Sequence, residues 1–140
     1  MTEIAFHFNL PDKIAYACRL LRKAVSAGMK VVVKAEPNVL QQLDADLWTF
    51  SPLDFVSHCL IDSAPNLVSA SAVVLTLDAQ LTAHHQVLLN LGFDVPEGFA
   101  GYDRLIEVVG PDGTDIEAAR KRWRFYAARG YTIVRHDLAK

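Results

Sequence analysis

Ile4, Phe6 and Phe8 fall in phase along Glu3–Asn9, which predicts an opening strand. Pro11 and Asp12 then start a helix whose Ile14, Ala17, Cys18, Leu21 and Val25 repeat at i, i+3, i+4, i+7 and i+11. Gly28 ends it, because a glycine just past a helix adopts the left-handed conformation cheaply. The runs Met29–Val33, Val73–Leu77, Gln86–Leu91 and Arg104–Val109 are apolar without clean alternation, as strands buried on both faces are. Glu36–Leu47 reads as a second helix, and Trp48–Pro65 as irregular and rich in turn residues. Residues 92–103 hold Gly92, Pro96, Gly98 and Gly101 and form a loop. A last helix begins at the capping-box spacing of Thr114 and Glu117, carries Ile116, Ala119, Trp123, Tyr126 and Ala127 on one face, and ends at Gly130. Tyr131–Arg135 follows as a final strand. Strands alternating with helices predict one α/β domain over residues 1–140, a mostly parallel twisted sheet with helices on both faces.

Composition fits that reading: 51% hydrophobic and 21% charged residues describe a folded chain rather than a disordered one. The net charge of −2 conceals an asymmetry. Residues 1–35 hold six Lys/Arg and two Asp/Glu, residues 36–117 thirteen acids and only Arg104, and residues 120–140 seven bases and only Asp137. Such a split gives an acidic side and a basic element, or serves solubility alone. Cys18 and Cys59 are isolated in apolar contexts, so they predict free thiols and a reducing compartment. The opening MTEIAFHFNL lacks a basic segment followed by a long apolar run, and no apolar stretch reaches the roughly 18 residues of a membrane span. The expectation is a cytoplasmic protein with no membrane association.

The fold class invites a nucleotide-enzyme reading, which the motifs oppose. The first strand–helix corner, Asn9-Leu10-Pro11-Asp12, has no glycine to wrap a pyrophosphate, and neither common phosphate-loop pattern occurs. Asp78 reads as an ordinary strand-end acid. His84 and His85 are adjacent, so on a strand they point to opposite faces and chelate poorly. His58 beside Cys59 is weak support for a catalytic pair, since such partners are usually distant in sequence. No catalytic residue, metal ligand or cofactor is assigned.

Two segments stand out. Residues 43–60 place Trp48, Phe50, Phe55 and Val56 around Pro52, which bars a continuous helix. These rings either plug one end of the core or form a partner surface, tryptophan being enriched in binding hot spots. On the last helix Arg120 and Arg124 flank the apolar stripe of Ile116 and Trp123, while Lys121, Arg122, Arg129 and Phe125 point further out. That face is a solvated basic surface, a groove for an acidic peptide with an apolar anchor, or a nucleic-acid surface.

The two segments in this order resemble the chi accessory subunit of bacterial DNA polymerase III. The most specific part is Leu43-Asp44-x-x-Leu47-Trp48-Thr49-Phe50-x-Pro52-x-x-Phe55-Val56-x-His58, and Ala119-Arg120-x-x-Trp123-Arg124-x-Tyr126 with Gly130-Tyr131 is similar too. The resemblance implies a nucleotide-binding-like fold without catalysis, part of the clamp-loader assembly. It implies a psi-subunit contact, shared with a helicase in some bacteria, at Trp48, Phe50, Pro52 and Phe55. It also implies that Arg120, Trp123 and Arg124 bind the acidic C-terminal tail of single-stranded-DNA-binding protein, so that DNA is met only indirectly. Ser57 stands where many relatives carry proline, and Ile116 where some carry a further basic residue.

Overall fold

A computed structural model describes residues 2–49, 58–60, 73–77 and 84–139, with the backbone alone for 48, 49 and 58–60. The strands are β1 (Glu3–Phe8), β2 (Val31–Lys34), β3 (His58–Leu60), β4 (Val73–Thr76), β5 (Val87–Asn90), β6 (Arg104–Val108) and β7 (Ile133–Asp137). They form one seven-stranded sheet in the order β3-β4-β2-β5-β6-β1-β7, and every pairing is parallel. Three α-helices are present among the described residues: α1 (Lys13–Ser26), α2 (Pro37–Thr49) and α3 (Gly113–Ala128).

The valine-rich central strands are buried on both faces, as their lack of alternation requires. On one face Val31, Val33, Leu75 and Leu89 pack against Ala17, Cys18 and Leu21 of α1 and Leu40, Leu43 and Leu47 of α2. On the other, Ile4, Phe6, Leu88 and Leu105 pack against Ala119 and Tyr126 of α3, joined by Phe99 and Tyr102 from the β5–β6 connection. The fold class expected from the sequence is therefore the observed one. Gly28 (φ 81) and Gly130 (φ 80) end α1 and α3 in the left-handed region, as expected of glycines after a helix.

Several expectations are corrected by the structure, beginning with Trp48 and Thr49, expected to be irregular, which form the end of α2. Residues 58–60, expected to be irregular, form the edge strand β3; three residues are too few to show periodicity. The final strand starts at Ile133, two residues later than expected. The capping box does not form. Asp112 is the N-cap without a side-chain bond, and Thr114 and Glu117 are exposed; Asp115 in the first turn is buried and accepts instead from Gly110 N, before the helix.

A further correction concerns Arg122, expected to point outward. It is 1% exposed. Its Nε donates to Glu107 Oε1 at 3.0 Å and its Nη1 to the Phe93 carbonyl at 2.7 Å. Glu107, in β6 and 0% exposed, also accepts from Tyr126 Oη and from Asn90 Nδ2. A carboxylate built into a buried strand draws an arginine inward, since an unpaired buried charge is far costlier than an exposed one. Phe125 and Ala127 also depart from the helical-wheel reading: the ring of Phe125 packs on Phe99, and Ala127 is exposed.

Candidate functional site

β1 and β6 are neighbours in the sheet, yet the helices that follow them leave toward opposite faces. A crevice opens at the carboxyl ends of parallel strands where connections diverge in this way. Here it is a cleft of about 880 Å³ between the corners after β1 and β6, the first turns of α3, and β7.

Each wall follows from local sequence. Asn9 turns the chain out of β1 with φ 60, a conformation asparagine tolerates, and its side chain donates to Asp137 Oδ1 at 2.9 Å. Alternation along β1 puts Phe6 and Phe8 on the α3 face, where they floor the cleft. Trp123 lies half-buried against them, its ring 5.1 Å from that of Phe6. Ile116 and Arg120 lie one and two turns along α3 on the same wall. From β7, Arg135 completes the lining. Ile116 remains 37% exposed although apolar, so it offers unsatisfied hydrophobic surface at the cleft. The lining carries two guanidiniums, Arg120 and Arg135, and no carboxylate. Although the chain as a whole is acidic, the cations of this lining stand over a floor of aromatic rings, with the Asp137 carboxylate held at its rim by Asn9.

An acid lies at the start of each helix beside the cleft. Asp12 accepts from Ala15 N at 3.1 Å, capping α1. Asp115, in the first turn of α3, accepts from Gly110 N at 2.6 Å and from Lys13 Nζ at 3.0 Å, which ties the β6–α3 corner to α1. A phosphate at this corner would meet the Asp12 and Asp115 carboxylates. A Cβ at Gly110 would lie 3.2 Å from Asp115 Oδ2, so a larger residue there would press on this carboxylate.

Of the residues assigned from sequence, the structure brings Arg120 and Trp123 together in the cleft. Arg124 is exposed and lies outside the lining. Phe50, Pro52, Phe55 and Ser57 lie outside the described residues, as does Asp78; for Trp48 only the backbone, in the last turn of α2, is described. Arg135 was not identified from sequence, since nothing short of the β1–β7 pairing places it beside Phe6. No group of three or more His, Cys, Asp or Glu arranged for a metal occurs among the described residues. Nor is any described helix long and apolar enough to cross a membrane.

A family model described as DNA polymerase III chi subunit, HolC, matches residues 1–134. The chain belongs to this chi-subunit family. A Pseudomonas aeruginosa protein described as DNA polymerase III subunit chi is 30% identical over 146 aligned positions, which cover 100% of this chain and 99% of the relative. The resemblance drawn from the central and C-terminal motifs is thereby borne out. Membership in the chi family gives the chain an accessory role in DNA replication, within DNA polymerase III. Both the aromatic segment and the α3 residues lie inside the span matched by the chi family.

Proposed function

We propose that this chain is a non-catalytic, cytoplasmic adaptor, one domain over residues 1–140, that tethers the clamp loader to protein-coated single-stranded DNA. The observation that carries this reading is the aromatic-floored cleft holding Arg120 and Trp123, with no carboxylate in its lining. An acidic tail with an apolar end suits it: the apolar side chain lies against Phe6, Phe8 and Trp123 while a guanidinium grips a carboxylate. The tail of single-stranded-DNA-binding protein is the occupant we assign. Arg124, outside the lining, adds long-range attraction and not a direct grip.

The psi subunit, or a helicase using the same surface, is held by Trp48, Phe50, Pro52 and Phe55. Trp48 lies in the last turn of α2, and Phe50, Pro52 and Phe55 follow it in the sequence. Linking two modest contacts in this way raises avidity by roughly 10² to 10⁴. Trp48→Ala is expected to cost about 2 kcal/mol or more in psi binding.

The test of the tail contact is fluorescence anisotropy with two labelled probes, at low and moderate salt. One is an acidic peptide ending in an apolar residue with a free carboxylate; the other is bare single-stranded DNA. Micromolar peptide binding, lost in Arg120→Ala and Trp123→Ala and absent for DNA, supports the adaptor reading. Tight DNA binding with a steep salt slope and no peptide binding would make α3 a nucleic-acid surface instead.

A further inference from the structure

His7 and His136 are directly opposite in the β1–β7 register, so both imidazoles leave the sheet on one face, the face turned away from the cleft. Their ring centroids stand 4.4 Å apart. Both line a groove of about 440 Å³ between α1 and the β1–β7 edge of the sheet, so both reach open space. The two rings are held differently. His7 is half-buried, and a hydrogen bond links its Nδ1 to the Tyr16 hydroxyl of α1. His136 is exposed and makes no hydrogen bond with a described residue, so its ring can turn. The lysine and arginine of this groove lie toward its other end. Arg104 is paired with Glu3 at 3.6 Å, four residues along β1 from His7, or about 13 Å. Lys23 is seven residues past Tyr16 on α1, or about 10 Å.

We propose that His7 and His136 together bind one divalent metal ion of the zinc, nickel or copper class, which staples the edge strand β7 to β1. Adjacent histidines on one strand point to opposite faces, but histidines in register on paired strands point the same way. Neighbouring strands are about 4.8 Å apart, and two nitrogens that share a zinc ion at about 2.1 Å each stand within about 4 Å of one another. The two imidazoles therefore converge on one ion once His136 turns edge-on. Tyr16 prepares the other ligand. With the ion on His7 Nε2, the ring proton sits on Nδ1 and is donated to Tyr16 Oη, the kind of outer contact that orients a metal-ligating histidine. Imidazole ligands favour zinc, nickel and copper, whereas magnesium and calcium favour oxygen. Water completes the coordination, as it does at open sites. A cross-strand bond matters here because β7 pairs with β1 alone, at the end of the sheet.

The experiment titrates Zn²⁺, and separately Ni²⁺, into the full chain stripped of metal, read by calorimetry and by thermal melts, with Mg²⁺ as the control. One zinc or nickel ion should bind per chain. With zinc at about ten times its dissociation constant the melting temperature should rise by about 5 °C, and Mg²⁺ should neither bind nor stabilise. His136→Ala removes an exposed ring, so it should fold as the unaltered chain does and lose the binding. Tyr16→Phe should weaken binding about tenfold, because the His7 ring loses its outer partner. His84→Ala combined with His85→Ala should leave binding unchanged. A folded His136→Ala chain that binds zinc as tightly as the unaltered chain overturns the proposal, since the ion then lies elsewhere. Loss of binding in the His84 and His85 double variant overturns it as well, and so does a full chain that binds neither Zn²⁺ nor Ni²⁺.

Discussion

Replacing Arg122 by methionine keeps most of the side-chain volume and removes the only cation facing Glu107 among the described residues. Arg122 is 1% and Glu107 0% exposed, so water cannot stand in for the lost partner. Stranding one half of a buried ion pair costs about 3–5 kcal/mol. At this chain length that corresponds to a melting temperature lower by about 10–20 °C. The loss should depend on pH with a definite sign. Burial already pushes the Glu107 carboxyl up, opposed by the charge of Arg122 and by hydrogen bonds from Tyr126, Asn90 and Arg122. Without Arg122 the folded carboxyl rises further, and between its unfolded and folded values the native state binds a proton that the unfolded state lacks. Stability of the variant therefore falls as pH rises through that window, relative to the unaltered chain, and recovers toward acid. Urea denaturation at pH 5 and pH 7.5 measures both effects. Adding Glu107→Gln to the variant should remove the extra pH dependence. A penalty under about 1 kcal/mol at pH 7.5, or one that Glu107→Gln leaves pH-dependent, would refute the reasoning.

Three further outcomes follow from local geometry. Gly110→Ala should destabilise by about 1–3 kcal/mol in thermal melts, because its Cβ would crowd Asp115 Oδ2 at 3.2 Å and Lys13 Cδ at 3.4 Å. Burial pushes the Cys18 thiol up to about 11, so iodoacetamide at pH 8 should label it in unfolded but not in native protein, as read by peptide mass mapping. His7, hydrogen-bonded to the Tyr16 hydroxyl with its ring 4.4 Å from that of His136, is lowered to about 4 by burial first and then by His136. The unfolded chain binds the extra proton between about pH 6.5 and 4, so this contribution is present above pH 6.5 and lost as pH falls; His7→Gln should flatten denaturation midpoints across that range.

Sheet and helices were legible because β-branched runs such as Val31–Val33 and the period of Ile14 to Leu21 each admit one packing solution. Arg122 was misplaced because a helical wheel carries no information about the surface it faces. Glu107 within the apolar run RLIEVV was the available signal, since an acid in a buried strand demands a cation. Arg120 and Trp123 were readable from the family-like motif on α3. The rest of the cleft was not, because it joins Asn9, Gly110 and Arg135 from three separate stretches to the α3 stripe, and only the strand order brings them together. Arg124 looked equivalent to Arg120 on the wheel, and the sheet behind the helix is what separates them.

Chemical-shift mapping shows whether an acidic peptide occupies this cleft. The ¹⁵N-labelled chain is titrated with unlabelled acidic peptide ending in phenylalanine, and backbone and indole N–H resonances are followed. Saturable shifts are expected, concentrated at Gly110, Ile116, Arg120, the Trp123 indole and Arg135, which line the cleft among others. Saturable shifts that spare these residues and cluster elsewhere, such as around α1 or the β3 edge, would contradict it.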